Sequence, residues 1–344
     1  MASSTAELGN LVRLVPFTIN DLPAHPAFEA IETTGAQTGA AASRPTLSAF
    51  IIAILTEAAR FIDTTVPTTF QTGATKSSSP STSSIQILKQ SYTPSQISSI
   101  PFATSPIKRS LPPDILQGQH GESWFVRKST HENKKAEGTA NWEEMDGGLR
   151  VEHNENEKGY TPDIFDAYKV LDWDAETLAM GNLDNFTDIR MRSESPRHHM
   201  YLAYRADILR LAVYEMCHKL PFPLTTRVFP VLVVTALTGT NEGIVVHVPI
   251  DIRKLPTAFY SNGRNLTEGD TAVKKKKPVL AVYTSIERIR LLPDDKVEWA
   301  MGTASDAKGV LPMAIQKSAL PGAIAKDVGL FMKWMSEKRK KSRT

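Results

Sequence analysis

Charged side chains within predicted strands are the first residues of this sequence that could do chemistry. Glu215, Arg227, Arg288 and Glu298 each lie in a segment with the period-two apolar pattern of a strand. A charge that points from a strand into an apolar interior needs a partner, because burial of an unpaired charge is costly. Each of the four therefore meets a polar group inside the fold or, as is more common, faces solvent.

The segment VEHNENEKGY, residues 151–160, contains residue types that can bind a metal ion. Glu152, His153, Glu155 and Glu157 are close in sequence, and imidazole and carboxylate groups both bind divalent metals. Their spacing is not the His-Glu-x-x-His pattern of zinc peptidases. Asn and Gly in the same segment are typical of an exposed helix end. We therefore expect a solvated charged turn and no metal site.

Cys217 and His218 have the residue types of a thiol nucleophile and its base. Neighbouring residues on a strand point to opposite faces, so their adjacency argues against a catalytic pair. Cys217 is expected to be a buried core residue, as free cysteines often are. His247 lies in another predicted strand, and we expect it at the surface or against a partner. The sequence has no glycine-rich phosphate loop and no Gly-x-Ser-x-Gly motif.

The composition restricts the class of protein further. The 344 residues contain 40 Lys and Arg against 37 Asp and Glu, and a net charge of +3 is too small to favour nucleic acid as a partner. A single cysteine cannot form an intramolecular disulfide, which favours a reducing compartment. The first residues lack the pattern of a secretion signal, and the most apolar run is too short to span a membrane. A cytoplasmic protein is expected.

The elements that must position these residues change in type along the chain. A first strand is predicted at residues 123–132, a helix at 139–153 and further helical turns at 160–173. Period-two alternation then dominates, and consecutive strands with short links favour an antiparallel sheet. The five strands predicted in this part are residues 207–217, 227–237, 243–252, 278–292 and 296–305.

The end of the chain has the pattern of an amphipathic helix. Ile324, Val328, Phe331 and Met335 fall at positions i, i+4, i+7 and i+11, so they form one apolar stripe that must pack on the sheet. Pro321 interrupts this pattern, because proline cannot donate the helical hydrogen bond. The sequence predicts a short helix, a bend at Pro321 and a longer helix after it.

The first third of the chain is predicted to be an accessory region. It has a short helix at residues 7–15, an apolar helix at 47–62 and a Ser- and Thr-rich segment at 72–84. The last of these buries too little apolar surface to offset its ordering entropy, so we expect a mobile loop. These features divide the chain into an N-terminal helical and loop region, 1–120, and a main domain, 121–340.

Several motifs of the main domain resemble a known family. The stretch GVLPMAIQKSALPGAIAKDVGLFMKWM is similar to the C-terminal helix of START-type lipid-transfer domains, with its Gly-x-x-Pro entry and its internal proline. WFVRKSTHE, GTANWEEM, YEMCHKLPFPLTTRVFPVLVVTA and EWAMGTASDAKGVLP resemble, in this order, a fungal START-like family known only as domain of unknown function 3074. The resemblance covers most of the chain.

The resemblance implies an α+β START-like helix-grip fold. In this fold a curved antiparallel sheet is closed by the long C-terminal helix, here with an N-terminal helical accessory region. A hydrophobic small molecule or lipid is expected between sheet and helix, with a few polar groups holding its polar end. No cofactor or metal is implied. The expected ligand contacts are the charged strand residues and the helix stripe: Glu215, Arg227, Arg288, Glu298, Ile324, Val328, Phe331 and Met335.

Two other functions stay open at this point. The first is an enzyme of the same superfamily, a cyclase or hydrolase of a polyketide-like or aromatic substrate, with inward carboxylate and histidine groups doing acid–base work. The second is a scaffold whose interior is filled by its own side chains. An inward cluster of histidines and carboxylates with shifted pKa values would favour the enzyme.

The remaining expectations concern partners. Lys274 to Lys277 could meet an acidic membrane surface transiently, although a solvated loop is favoured because four lysines supply only a weak, screened attraction. We expect a monomer.

Overall fold

The computed structural model describes residues 8–28, 44–100, 107, 109, 121–180, 209–266 and 277–342. Within them, strands form one sheet in the order β2-β3-β4-β11-β10-β8-β7-β6-β5, and every pair along this path is antiparallel. Two short strands pair in parallel, β1 with β8 and β9 with β7. The strands are β1 Phe17–Thr18, β2 Gln71–Lys76, β3 Ile85–Tyr92, β4 Glu122–Glu132, β5 Ile164–Asp172, β6 Leu209–His218, β7 Arg227–Gly239, β8 Glu242–Asp251, β9 Val279–Leu280, β10 Val282–Leu291 and β11 Lys296–Asp306.

The helices pack on both faces of this sheet. The first helix begins at Leu47, where the Thr46 side chain accepts a hydrogen bond from the Ala49 N–H at 3.3 Å. It continues through a π-helical turn at Phe61–Thr65 into the next helix. The helices are α1 Leu47–Arg60, α2 Val66–Thr69, α3 Pro94–Ser99, α4 Trp142–Leu149, α5 His153–Tyr160, α6 Asp174–Met180, α7 Asn262–Asn265 and α8 Met313–Lys341.

Different helices pack on the two faces of the sheet. Alternate strand residues point to opposite faces. We call the face that contacts α8 the inner face; Phe125 and Trp299 lie on it, in one core with the α8 residue Phe331. The outer face carries Trp124 and Val246, which share a core with α1. Helices α4 and α5 join α8 on the inner face, so the sheet is the middle of three layers.

The α+β architecture predicted from the sequence is confirmed. A large antiparallel sheet carries a long C-terminal helix, with helices near the N-terminus. The predicted first strand is β4, and the five predicted strands are β6, β7, β8, β10 and β11. The helix predicted at 139–153 corresponds to the shorter α4, and a second helix, α5, begins at the last residue of that range. They separate at Glu152, whose backbone is left-handed at φ 49°.

The prediction of a loop at residues 72–84 is wrong for its first part. Residues Gln71–Lys76 form β2, which pairs with β3. The turn after it contacts α8, because the Ser78 hydroxyl accepts a hydrogen bond from the Gly329 N–H at 3.1 Å. A side chain at Gly329 would overlap Ser78. Backbone pairing and this contact order a segment that has almost no apolar side chains.

The prediction of a helix at residues 7–15 is also wrong. Residues 8–15 follow an irregular path along the outer face, where Leu11 and Val12 are buried. The Glu57 carboxylate of α1 accepts hydrogen bonds from the N–H groups of Asn10, Leu11 and Val12 at 2.6–3.1 Å. One half-buried carboxylate thus replaces the carbonyls that a helix would offer to these donors.

Most of residues 160–173 form a strand and not the predicted helical turns. Ile164–Asp172 form the edge strand β5. The register with β6 shifts between Ile164 and Asp166 and again between Lys169 and Leu171. Each shift breaks the period of two, which is why the sequence of this strand lacks clean alternation.

The C-terminal helix has no break at Pro321. Helix α8 runs from Met313 to Lys341 with Pro321 inside it. Near its end Arg339 pairs with Glu144 of α4 at 2.7 Å and donates to the Thr139 carbonyl. Before the proline, Gln316 accepts a hydrogen bond from the Ala307 N–H at 2.7 Å. Contacts on both sides of the proline therefore support one helix where the local sequence predicts two.

The predicted division of the chain near residue 120 falls inside the sheet. Strand β3 from the first region pairs with β4 from the second over Ile85–Tyr92. The outer-face core likewise contains residues from both regions. None of the described helices is long and apolar enough to cross a membrane.

Candidate ligand-binding site

A cavity forms where strands β8 and β10 separate. Their pairing ends at Ser285 and His247. Beyond that point β8 pairs with β1 at Ile250 instead, and the residues before β10 form β9 beside β7. The cavity in the resulting gap has a volume of about 440 Å³. This volume lies within the range of natural small-molecule sites.

The walls of the cavity are mainly aliphatic. The N-terminal segment and α3 contribute one side, and the diverging strands contribute the other. Apolar walls favour an apolar occupant, because contact removes its surface from water. The principal apolar residues of the wall are Val15, Ile97, Ile250, Ile252, Leu280 and Val282.

Charged residues occur along the same wall in pairs. Arg253 contacts Asp251 at 2.6 Å, and Lys308 contacts Asp306 at 2.6 Å. Burial alone would raise the pKa of each carboxyl group, but the paired cation and its hydrogen bonds lower the pKa overall. Both carboxylates are therefore held ionised, and the site combines apolar walls with paired polar groups.

A second cavity of about 590 Å³ adjoins the first at the start of α8. Both cavities are lined by Gly121, Asp306, Lys308 and Met313. The second one extends toward the end of β3 at Tyr92. Together they follow the edge where the N-terminal segment, the sheet and the first turn of α8 meet.

Two of the predicted polar residues lie beside the first cavity without lining it. Glu215 is fully buried and pairs with Arg264 at 2.6 Å, and Arg264 lines the cavity. Arg227 donates to the backbone carbonyls of Ala307 and Lys308 at 2.5 and 3.3 Å. Both residues hold cavity-lining segments in place.

The other two predicted polar residues lie away from this cavity. Arg288 contacts Asp63 of the π-helical turn on the outer face, and it pairs with Glu298 at 3.3 Å. Glu298 also contacts Lys128 at 2.6 Å. Burial would raise the pKa of Glu298, but Lys128 and the two neighbouring arginines lower it overall. This charge network joins the outer face to the helical layer.

The predicted helix stripe is packed inside the inner-face core. Ile324, Val328, Phe331 and Met335 are at most 6% exposed. The Phe331 ring lies 5.3 Å from the ring of Trp299. The stripe packs on the sheet as predicted, and neither of the two cavities described above is lined by it.

A polar cluster on the inner face was missed by the sequence reasoning. His247, expected at the surface, is 2% exposed and lies 4.9 Å, ring to ring, from His153 of α5. His153 and Asn154 are buried in a segment expected to be solvated. Glu157 is near both histidines. The only local signal is the spacing of four between His153 and Glu157, which places them on one helix face.

Cys217, by contrast, is buried as predicted. Its thiol lies 3.3 Å from the Ser261 hydroxyl. Burial raises the pKa of Cys217 to about 12, so the thiolate that a nucleophile requires is not formed near neutral pH. Burial also lowers the pKa of the neighbouring His218 to about 4.

Comparison with known proteins identifies a family. The family described as "Protein of unknown function (DUF3074)" matches residues 124–335. The chain belongs to this family, as the sequence motifs predicted. Comparison with curated proteins gives no match.

Three human proteins of known structure are similar to this chain. One is STARD10, at 14% identity and a TM-score of 0.41, covering 79% of this chain and 76% of the other. The second is the StarD13 (DLC2) lipid transfer and protein localization domain, at 12% identity and a TM-score of 0.38, covering 76% of this chain and 88% of the other. The third is StAR-related lipid transfer protein 5, at 8% identity and a TM-score of 0.47, covering 85% of this chain and 98% of the other.

Proposed function

We propose that this protein binds a hydrophobic small molecule or lipid in the cavity between β8 and β10. The observation that carries the proposal is the cavity itself, about 440 Å³ with mainly aliphatic walls. Removing about 200 Å² of apolar ligand surface from water is worth about 5 kcal/mol before ordering costs. The paired charges of Asp251 with Arg253 and of Asp306 with Lys308 are available to a polar end of the ligand.

This proposal moves the ligand from the place that the sequence suggested. A cavity between α8 and the sheet would require the stripe around Phe331 to move out of a core in which its ring is fully buried. The cavity between β8 and β10 needs no such movement. Glu215 and Arg227 keep a supporting role in the proposal, because they fix Arg264 and Lys308 at the cavity wall.

The polar cluster on the inner face supports a second candidate function, an acid–base enzyme. Burial, with Asp327 and Glu287 nearby, raises the pKa of Glu157 to about 8, which suits a proton-transfer group. The cavity beside His153 and Asn154 has only about 20 Å³, enough for one water and too small for a polyketide-like substrate. Ligand binding is therefore the better supported function.

The test is native mass spectrometry, with lipid extraction, of protein purified from cells. The wild-type chain is expected to carry an apolar molecule at one equivalent. Val282→Trp places a large ring in the cavity and should abolish this mass increment. Val310→Trp is the matched control, because Val310 is 86% exposed and lies outside both cavity walls. An increment that survives in Val282→Trp would refute binding at this site.

A further inference from the structure

Three side chains that can bind a metal ion converge on the inner face. His153 and Glu157 come from α5, and His247 comes from β8. One ligand atom of each lies within 4.8 Å of the others, and His153 Nε2 is 3.8 Å from Glu157 Oε2. Two imidazoles and one carboxylate are a donor set that Zn²⁺ and related divalent ions accept.

The hydrogen bonds of the two rings leave Nε2 of each histidine without a proton, as a metal ligand requires. His153 Nδ1 contacts the Leu149 carbonyl, which can only accept, so the proton is on Nδ1 and Nε2 has a lone pair. His247 Nε2 accepts from the Asn154 amide at 3.2 Å, so its Nδ1 donates to the Ser285 hydroxyl at 2.9 Å. Metal-binding histidines are oriented in this way by partners of the other ring nitrogen.

The described residues around these rings include three carboxyl groups and one arginine. Glu157, Glu287 and Asp327 interact with one another, whereas Arg127 pairs with Glu287 at 2.8 Å. A divalent cation beside Glu157 would add positive charge where carboxyl groups are in excess.

Access from solvent is also compatible with a metal. The Glu157 side chain is 27% exposed, so the cluster borders solvent on the α5 side.

We propose that His153, Glu157 and His247 bind one divalent transition-metal ion of the Zn²⁺ class, with water completing the coordination shell. Bond lengths of about 2.0–2.2 Å place tetrahedral donors about 3.4 Å apart, so the side chains close by about 1.4 Å at most. His247 exchanges its contact with the Asn154 amide for the metal. The proposal does not depend on the cavity between β8 and β10.

The experiment is a titration of chelator-treated, folded protein with Co²⁺, followed by displacement with Zn²⁺. The wild-type chain is expected to bind one equivalent, with the visible absorption of a four- or five-coordinate Co²⁺ site. His247→Gln and Glu157→Gln each remove a ligand and should abolish this absorption. Ser285→Ala removes only the partner of His247 Nδ1 and should weaken binding by about 10–100-fold.

The matched control is His131→Gln. His131 is fully buried and its ring nitrogens contact the Ser83 and Ser129 hydroxyls, outside the proposed site. This variant should bind Co²⁺ like the wild type. Circular dichroism establishes folding, and Glu157→Gln is the variant best placed to retain it because its side chain is partly exposed. Less than one equivalent bound by folded wild-type protein, or unchanged binding in Glu157→Gln, overturns the proposal.

Discussion

Substitution of Phe331 in α8 tests whether the space beneath the C-terminal helix is a packed core or a ligand cavity. Its side chain is fully buried, and the rings of Trp299, Tyr160 and Trp334 lie 5.3, 5.5 and 5.9 Å from it. The ring also packs against the backbone of α4, because a Cβ atom added at Gly148 would lie 2.8 Å from the nearest ring atom. Phe331→Ala therefore opens a void whose walls are large rings and a helix backbone.

The expected cost follows from these walls. Truncation of a buried Phe to Ala costs about 3–5 kcal/mol, and the cost rises with the volume that does not collapse. Loss of the aromatic contacts adds to the loss of buried area. We therefore expect a decrease of about 4 kcal/mol in the free energy of unfolding, measured by urea denaturation. Val233→Ala, which removes a smaller buried side chain from the inner face, should cost about 2 kcal/mol.

Ligand binding is the second measurement on the same variants. The cavity between β8 and β10 is not lined by Phe331 or Val233. The affinity of folded protein for a lipophilic fluorescent probe, anilinonaphthalene sulfonate, should therefore be unchanged in both variants. A loss of stability below about 1.5 kcal/mol in Phe331→Ala, together with weaker probe binding, would refute the reasoning. That result would place the ligand between α8 and the sheet.

Three other predictions concern stability and are tested by urea denaturation. Glu57→Ala removes the acceptor of the backbone N–H groups of residues 10–12, and we expect it to lower the free energy of unfolding by about 2–4 kcal/mol. A decrease below about 1 kcal/mol would show that water replaces the carboxylate. Burial, with Arg127 nearby, lowers the pKa of His131 to about 4. The unfolded chain therefore binds the proton first as the pH falls from 6.5 to 4, and stability decreases by up to about 1.4 kcal/mol per pH unit. His131→Gln should reduce that slope, and an equal slope would contradict the assignment. Pro321→Ala should stabilise α8 by up to about 3 kcal/mol, because it restores a helical donor; destabilisation would show that the proline is required for packing.

The strands and the apolar surfaces could be predicted from the sequence because their signals are local. Side-chain alternation in β7 and β8 and the spacing of Ile324, Val328 and Phe331 follow from the geometry of a single strand or helix. These predictions hold in the structure, where the helix stripe is buried on the inner face. Burial of apolar surface determines such patterns almost independently of the partner element.

The errors have a common cause, since they occur where distant partners override local propensity. Glu57 supplies acceptors to residues 10–12 and prevents a helix there. Ser78 contacts Gly329 and helps to order the segment expected to be mobile. Pro321 remains inside one helix, because the part of α8 after it is buried in the inner-face core and Gln316 before it accepts a hydrogen bond from the Ala307 N–H. Tertiary contacts of this kind are absent from any local window of sequence.

The candidate sites required the tertiary structure even more. The cavity exists because β8 stops pairing with β10 after His247 and pairs with β1 at Ile250. The three strands are far apart in the chain. The inner-face cluster brings His153 and Glu157 of a helix to His247 of a strand. The sequence by itself determined the α+β class and which residues are apolar, because those depend on periodicity. Only the tertiary structure decided which polar residues meet, because strand pairing sets those distances.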